Sequence, residues 1–119
     1  MEIHELSLTG QLNELKNGSF TSTELTQHYL DRISNFDKDI NSFITVTADL
    51  ALKQAKESDA RYKSKKALPL DGIPIAHKDI FCTENILTTC GSKMLSTFKA
   101  PYSSTVVNNL SSDGVVVLG

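Results

Sequence analysis

The sequence predicts an α/β fold with a mixed, mostly parallel sheet covered by helices, and three observations predict it. Two amphipathic helical segments open the chain. Short apolar runs then alternate with helical patterns, as in strand–helix–strand units. The last run, Val115-Val116-Val117-Leu118, is apolar at every position, as expected of a strand buried on both faces.

Each element has its own local reason. Leu8, Leu12 and Leu15 share one helical stripe, and Asn17-Gly18 supplies a left-handed stop. Thr21 followed by Glu24 has the capping-box spacing. Leu25, Tyr29, Ile33 and Phe36 then mark the apolar face of a second helix. Asp37 to Asn41 reads as a polar turn, and Phe43-Ile44-Thr45-Val46 as a short strand. A third helix begins near Thr47, carries Ala48, Leu52, Ala55 and Tyr62, and ends in the basic Lys63-Ser64-Lys65-Lys66. Cations collect at helix C-termini because the macrodipole favours them there, so these lysines need no phosphate ligand.

Pro69 and Asp71-Gly72 mark a turn before Ile73-Pro74-Ile75-Ala76, a buried strand that delivers His77-Lys78-Asp79 at its C-terminal end. Phe81 to Ser92 is a long loop rich in Thr, Cys and Gly, the kind of segment that lines sites on a rigid scaffold. Ser92 starts a short helical turn through Met94 and Leu95. Pro101 to Ser104 introduces a final helix with Val106, Val107 and Leu110 on its apolar face and Asp113-Gly114 as its stop. A buried strand such as Val115–Leu118 is normally followed by a turn and a covering element. The expectation is therefore that residues 1–119 are the N-terminal portion of a longer α/β protein.

Composition narrows the function. The chain has 119 residues, of which 39% are hydrophobic and 22% charged, as in ordinary globular proteins. Twelve Lys and Arg against fourteen Asp and Glu give a net charge of −2. That balance lacks the basic footprint of a domain that grips nucleic-acid phosphates by itself. No window approaches the run of about eighteen apolar residues that spans a membrane, and the Met-Glu-Ile-His-Glu start is unlike a signal peptide. A cytoplasmic location is expected. Cys82 and Cys90 are too few for a disulfide scaffold and read as buried or idle thiols. His28 reads as a helix-surface histidine without a role.

Lys78 is the first candidate for chemistry, because open α/β proteins place ligands beyond the C-terminal ends of their strands. Desolvation there favours the neutral amine, which can act as a general base; the alternative is a solvated or ion-paired lysine. Strand alternation would point His77 and Asp79 away from Lys78. A metal set of His77, Asp79, Cys82 and Cys90 fits no zinc spacing. None of the thirteen serines stands in the glycine-rich frame of a serine nucleophile. A nucleotide-binding domain with its phosphate loop after Gly119 stays open, as does a non-catalytic interaction piece.

The stretch from Pro69 to Asp79, with Gly72-Ile73-Pro74-Ile75-Ala76-His77-Lys78-Asp79 at its centre, resembles the lysine-bearing motif of the amidase signature family. Thr88-Thr89-Cys90-Gly91-Ser92-Lys93-Met94-Leu95, Ala100-Pro101-Tyr102 and Gly114 to Gly119 extend the match. So do Ser42 to Thr47 and Ala51 to Lys56 upstream. The Thr88–Leu95 segment is similar to the amidase-type component of the tRNA-dependent amidotransferases rather than to general amidases.

The resemblance implies that Lys78 is the terminal proton acceptor of a Ser–cis-Ser–Lys triad, whose serines lie in a Gly-Ser-rich signature that this sequence does not contain. It also implies a heterotrimer with the B and C subunits of such an amidotransferase. Ammonia released from glutamine would pass to the B subunit, where ATP and Mg serve the conversion of Glu-tRNA(Gln) to Gln-tRNA(Gln), while the C subunit braces the pair. The implied location is the bacterial cytoplasm or an organellar matrix. No cofactor is expected in this chain, and alone it is expected to be inactive. A stand-alone amidase acting on small carboxamides is the alternative.

Overall fold

The computed structural model describes residues 1–119. A single 3-10 turn at Ile3–Glu5 precedes helix α1 (Leu8–Asn17), whose Ser7 side chain caps it and whose Gly18 ends it in the left-handed conformation, φ 75°. Leu15 is buried as the stripe predicts, but Leu8 is half-exposed. Gln11 takes the buried position instead, its amide donating to the Ile3 carbonyl (3.2 Å) and the Tyr29 hydroxyl (2.7 Å). These bonds offset the cost of burying a polar side chain.

Helix α2 (Ser22–Ile40) starts with the expected capping box: Thr21 accepts from the Glu24 N–H, and the Glu24 carboxylate accepts from the Thr21 N–H at 2.7 Å. Asp59, on helix α3 (Ala48–Lys63), adds a second cap by accepting from the N–H groups of Ser22 and Thr23. The polar run from Asp37 onward is the exposed last turn of α2 and not a separate turn. It closes only at Asn41, in the left-handed region at φ 57°. Phe36 lies in this overhanging end and is half-exposed, with the Arg32 guanidinium 5.3 Å from its ring centre.

The predicted strand at Phe43–Val46 does not form. Asp37 accepts from the N–H groups of Ser42 and Phe43, so these donors close a turn after α2 and cannot join a ladder. The sheet is two short strands, β1 (Pro74–Ile75) and β2 (Val116–Val117), parallel and in register Pro74 to Val116. A loop, a 3-10 turn (Lys93–Leu95) and helix α4 (Thr105–Ser112) make the crossover between them. On the other edge of β2, α3 and its N-cap take the place of a strand. The Thr47 N–H donates to the Leu118 carbonyl (2.8 Å), and Gln54 accepts from the Val117 N–H (2.9 Å).

Leu30, Ala51, Ala55, Val116 and Leu118 form one core where α2 and α3 pack on β2. Leu15, Leu25 and Ile73 form a second, where α1 and α2 meet the start of β1. Asp71 locks the turn before β1. It is completely buried and pairs with Arg61 through two bonds of 2.7 Å. Gly114 makes this possible: at φ 91° it sits so close that a Cβ would stand 2.9 Å from the Asp71 Cα. Gly114→Ala is expected to destabilise the protein by about 2 kcal/mol or more, through strain and a backbone clash, measured by urea unfolding of the full-length protein.

Candidate active site

The paired strand ends at Ile75, and Asp79 and Ile80 form a turn closed by the Phe81 N–H to the Lys78 carbonyl (3.1 Å). The alternation expected for His77, Lys78 and Asp79 therefore stops, and all three line one cavity of about 500 Å³. This is the size of a small-molecule site, and it opens beyond the C-terminal ends of both parallel strands. The His77 N–H donates to the Gly119 carbonyl (2.8 Å), tying the motif to the end of β2. Ser42 and the first three residues of the expected Phe43–Val46 strand form another wall.

Lys78 is exposed at this cavity. His77 is half-buried, its Nε2 has no hydrogen-bond partner, and burial holds its imidazole below the ordinary value of 6.5. Asp79 turns its carboxylate to Thr89, accepting from the Thr89 N–H (2.8 Å) and the Thr89 hydroxyl. Burial pushes the Asp79 carboxyl up, but the two bonds from Thr89, with the Gly91 N–H nearby, outweigh it and hold the group below the usual carboxylate range. With both oxygens so engaged, Asp79 is no relay for His77.

Cys90 is exposed and lines the cavity, so it is not a buried thiol; Cys82 is half-buried, and both are free. The set His77, Asp79, Cys82 and Cys90 is not assembled as a metal centre. The one such grouping is Glu2, His4 and His28, where a 2.9 Å contact between His4 Nδ1 and His28 Nε2 is satisfied as a hydrogen bond. His28 is thus a paired histidine, and none of the three lines the cavity. Sequence reasoning missed Asp79 and Thr89 as partners. The available signal was a threonine-rich turn ending in glycine inside a long loop.

Lys78 thus stands at the mouth of a cavity, on the turn that follows one of two parallel strands, where open α/β proteins place their ligands. The Amidase family model matches residues 24–119, and the chain belongs to that family. It is 53% identical over 117 residues to the A subunit of glutamyl-tRNA(Gln) amidotransferase from Saccharophagus degradans and, at the same identity and length, to that from Nitrosococcus oceani. Each match covers 98% of this chain and 24% of the relative, so the chain spans about a quarter of the curated relatives' length. Among solved structures it is similar to the native peptide amidase from Stenotrophomonas maltophilia. That match has TM-score 0.90 and 34% identity, covering 97% of this chain and 24% of that one. A bacterial aryl acylamidase of the amidase signature family shares the fold at 20% identity and TM-score 0.89, covering 96% of this chain and 24% of that one.

Proposed function

We propose that the full-length protein is the glutaminase component of a tRNA-dependent amidotransferase, with Lys78 as its catalytic base. The observation that carries this reading is the 53% identity, over 98% of the chain, to two amidotransferase A subunits. Glutamine binds in the cavity beyond β1 and β2. A serine from the remaining length attacks its carboxamide, and its proton passes through a second serine to the Lys78 Nζ. That proton returns from Lys78 to the leaving nitrogen, ammonia departs as the acyl-enzyme forms, and water then releases glutamate from it. The full-length chain is expected to cover Lys78, since desolvation disfavours the ammonium and leaves the neutral amine, the form that can accept a proton.

Ammonia then serves the B subunit, which converts Glu-tRNA(Gln) to Gln-tRNA(Gln) with ATP and Mg, while the C subunit braces the assembly. No residue of this chain is assigned to ATP or to tRNA, in keeping with its net charge of −2. Residues 1–119 hold the base without a nucleophile and are inactive by themselves. No helix is long and apolar enough to cross a membrane, and the proposed location is the cytoplasm or an organellar matrix.

The second reading, a stand-alone amidase for small carboxamides, draws on the 34% identity to the peptide amidase. Co-purification separates the two. The full-length protein is expected to bring down stoichiometric B and C subunits, whereas a stand-alone amidase purifies without them.

A further inference from the structure

Asp79 follows the proposed base directly, yet it forms no ion pair with Lys78; the single salt bridge of the structure is Arg61 to Asp71. Its polar atoms are spent on another segment. One carboxylate oxygen accepts from the Thr89 N–H at 2.8 Å, the other accepts from the Thr89 hydroxyl, and the Asp79 carbonyl accepts from the Cys90 N–H at 2.8 Å. The Thr89 hydroxyl oxygen in turn accepts from the Gly91 N–H at 3.2 Å. These bonds meet at a turn with two consecutive left-handed residues, Cys90 at φ 53° and Gly91 at φ 70°. A cysteine there is strained and holds that conformation only where its surroundings impose it. Thr88, Cys90 and Gly91 line the same cavity as Lys78.

We propose that Asp79 is a positioning residue that latches the Thr89–Gly91 turn to the strand end carrying Lys78, so that the turn is a fixed wall for the carboxamide substrate. This rests on the glutaminase reading for the identity of that substrate. Asp79 neither donates nor accepts the reacting proton. It sets where the cavity wall stands relative to Lys78, and the Thr89 hydroxyl is its required partner. Charge-assisted bonds of this kind fix geometry more strongly than neutral ones, and a wall displaced by about an ångström weakens substrate placement.

The test uses the full-length protein in complex with the B and C subunits, carrying Asp79→Asn, Thr89→Val, both together, or Thr89→Ser. Two quantities are measured: hydrogen exchange at the amides of Thr89, Cys90 and Gly91, and the steady-state constants for glutamine. Asp79→Asn and Thr89→Val are each expected to accelerate exchange in the turn and raise KM roughly tenfold, with kcat changed less. The double variant should be no worse than the more severe single one, and Thr89→Ser should stay near wild type. Protection of the Val116 and Leu118 amides, bonded to Ile73 and Ile75, reports that each variant is folded.

An unchanged KM with faster exchange would overturn the turn's role as a substrate wall. A fall in kcat alone, with exchange unmoved, would overturn the latch and make Asp79 part of the chemistry. Wild-type protein inert toward glutamine would sink the functional reading instead, and the exchange rates would then decide the latch on their own.

Discussion

Lys78→Ala in the full-length protein is expected to lower the rate of glutamine hydrolysis by several orders of magnitude, roughly a thousandfold or more, because members of a cooperative triad lose about as much singly as together. Lys78→Arg should not rescue it, since a guanidinium stays charged and cannot accept a proton near neutral pH. The fold should survive both changes: Lys78 is exposed, and its side chain makes no hydrogen bond or ion pair in the structure. Circular dichroism and urea unfolding like those of wild type, beside a collapse of ammonia release, is the expected pair of results. Near-wild-type release from Lys78→Ala would move the base elsewhere.

The second large effect concerns stability. Arg61→Ala is expected to destabilise the protein by about 3 kcal/mol or more, because it leaves the completely buried Asp71 carboxylate without its cation. Asp71→Asn should cost less. The Arg61 side chain is 31% exposed and can turn its charge to water, whereas Asp71 has no such escape. This asymmetry separates a buried ion pair from a generic loss of contacts, and urea midpoints of the two variants measure it.

The pair also sets an acid limit. Burial raises the Asp71 carboxyl, but the bonds from Arg61 and the Leu68 N–H lower it further, and the net position is below the ordinary 3.8. A carboxyl depressed on folding contributes stability that is fully present above that ordinary value and is lost as pH falls through the depressed one. Arg61→Ala removes the largest influence opposing burial and leaves smaller ones, the Leu68 N–H among them. That variant should unfold at a higher pH than wild type on acidification.

The elements readable from sequence were those governed by local chemistry. Thr21 and Glu24 stand at capping spacing and cap α2; Gly18 ends α1, and Asp113-Gly114 ends α4. Val115–Leu118 is buried throughout, as its composition implied, although only its middle pairs as a strand. Lys78 was legible as a strand-end residue, because the turn at Asp71-Gly72 and the apolar run after it set the start of β1.

What escaped depends on partners far along the chain. Phe43–Val46 has strand composition, but Asp37 takes its first donors, and Thr47 and Gln54 take the edge of β2 it would have used. Asp37–Ile40 looks like a turn because a solvated last helical turn has the same polar composition. The orientation of His77 and Asp79 followed from a strand that ends sooner than its apolar run. The bond from Thr89 to Asp79 joins residues ten apart through a loop whose path carries no periodicity.

The proposed role of Lys78 is to serve as the base that frees ammonia from glutamine for tRNA-dependent amidation. It is tested most directly by Gln-tRNA(Gln) formation in the assembled full-length complex, with either glutamine or ammonium chloride as the nitrogen donor. Lys78→Ala is expected to abolish amidation from glutamine and to leave amidation from ammonium near wild type, because the chemistry at the B subunit is untouched. Loss with both donors, or full activity with glutamine, would contradict it.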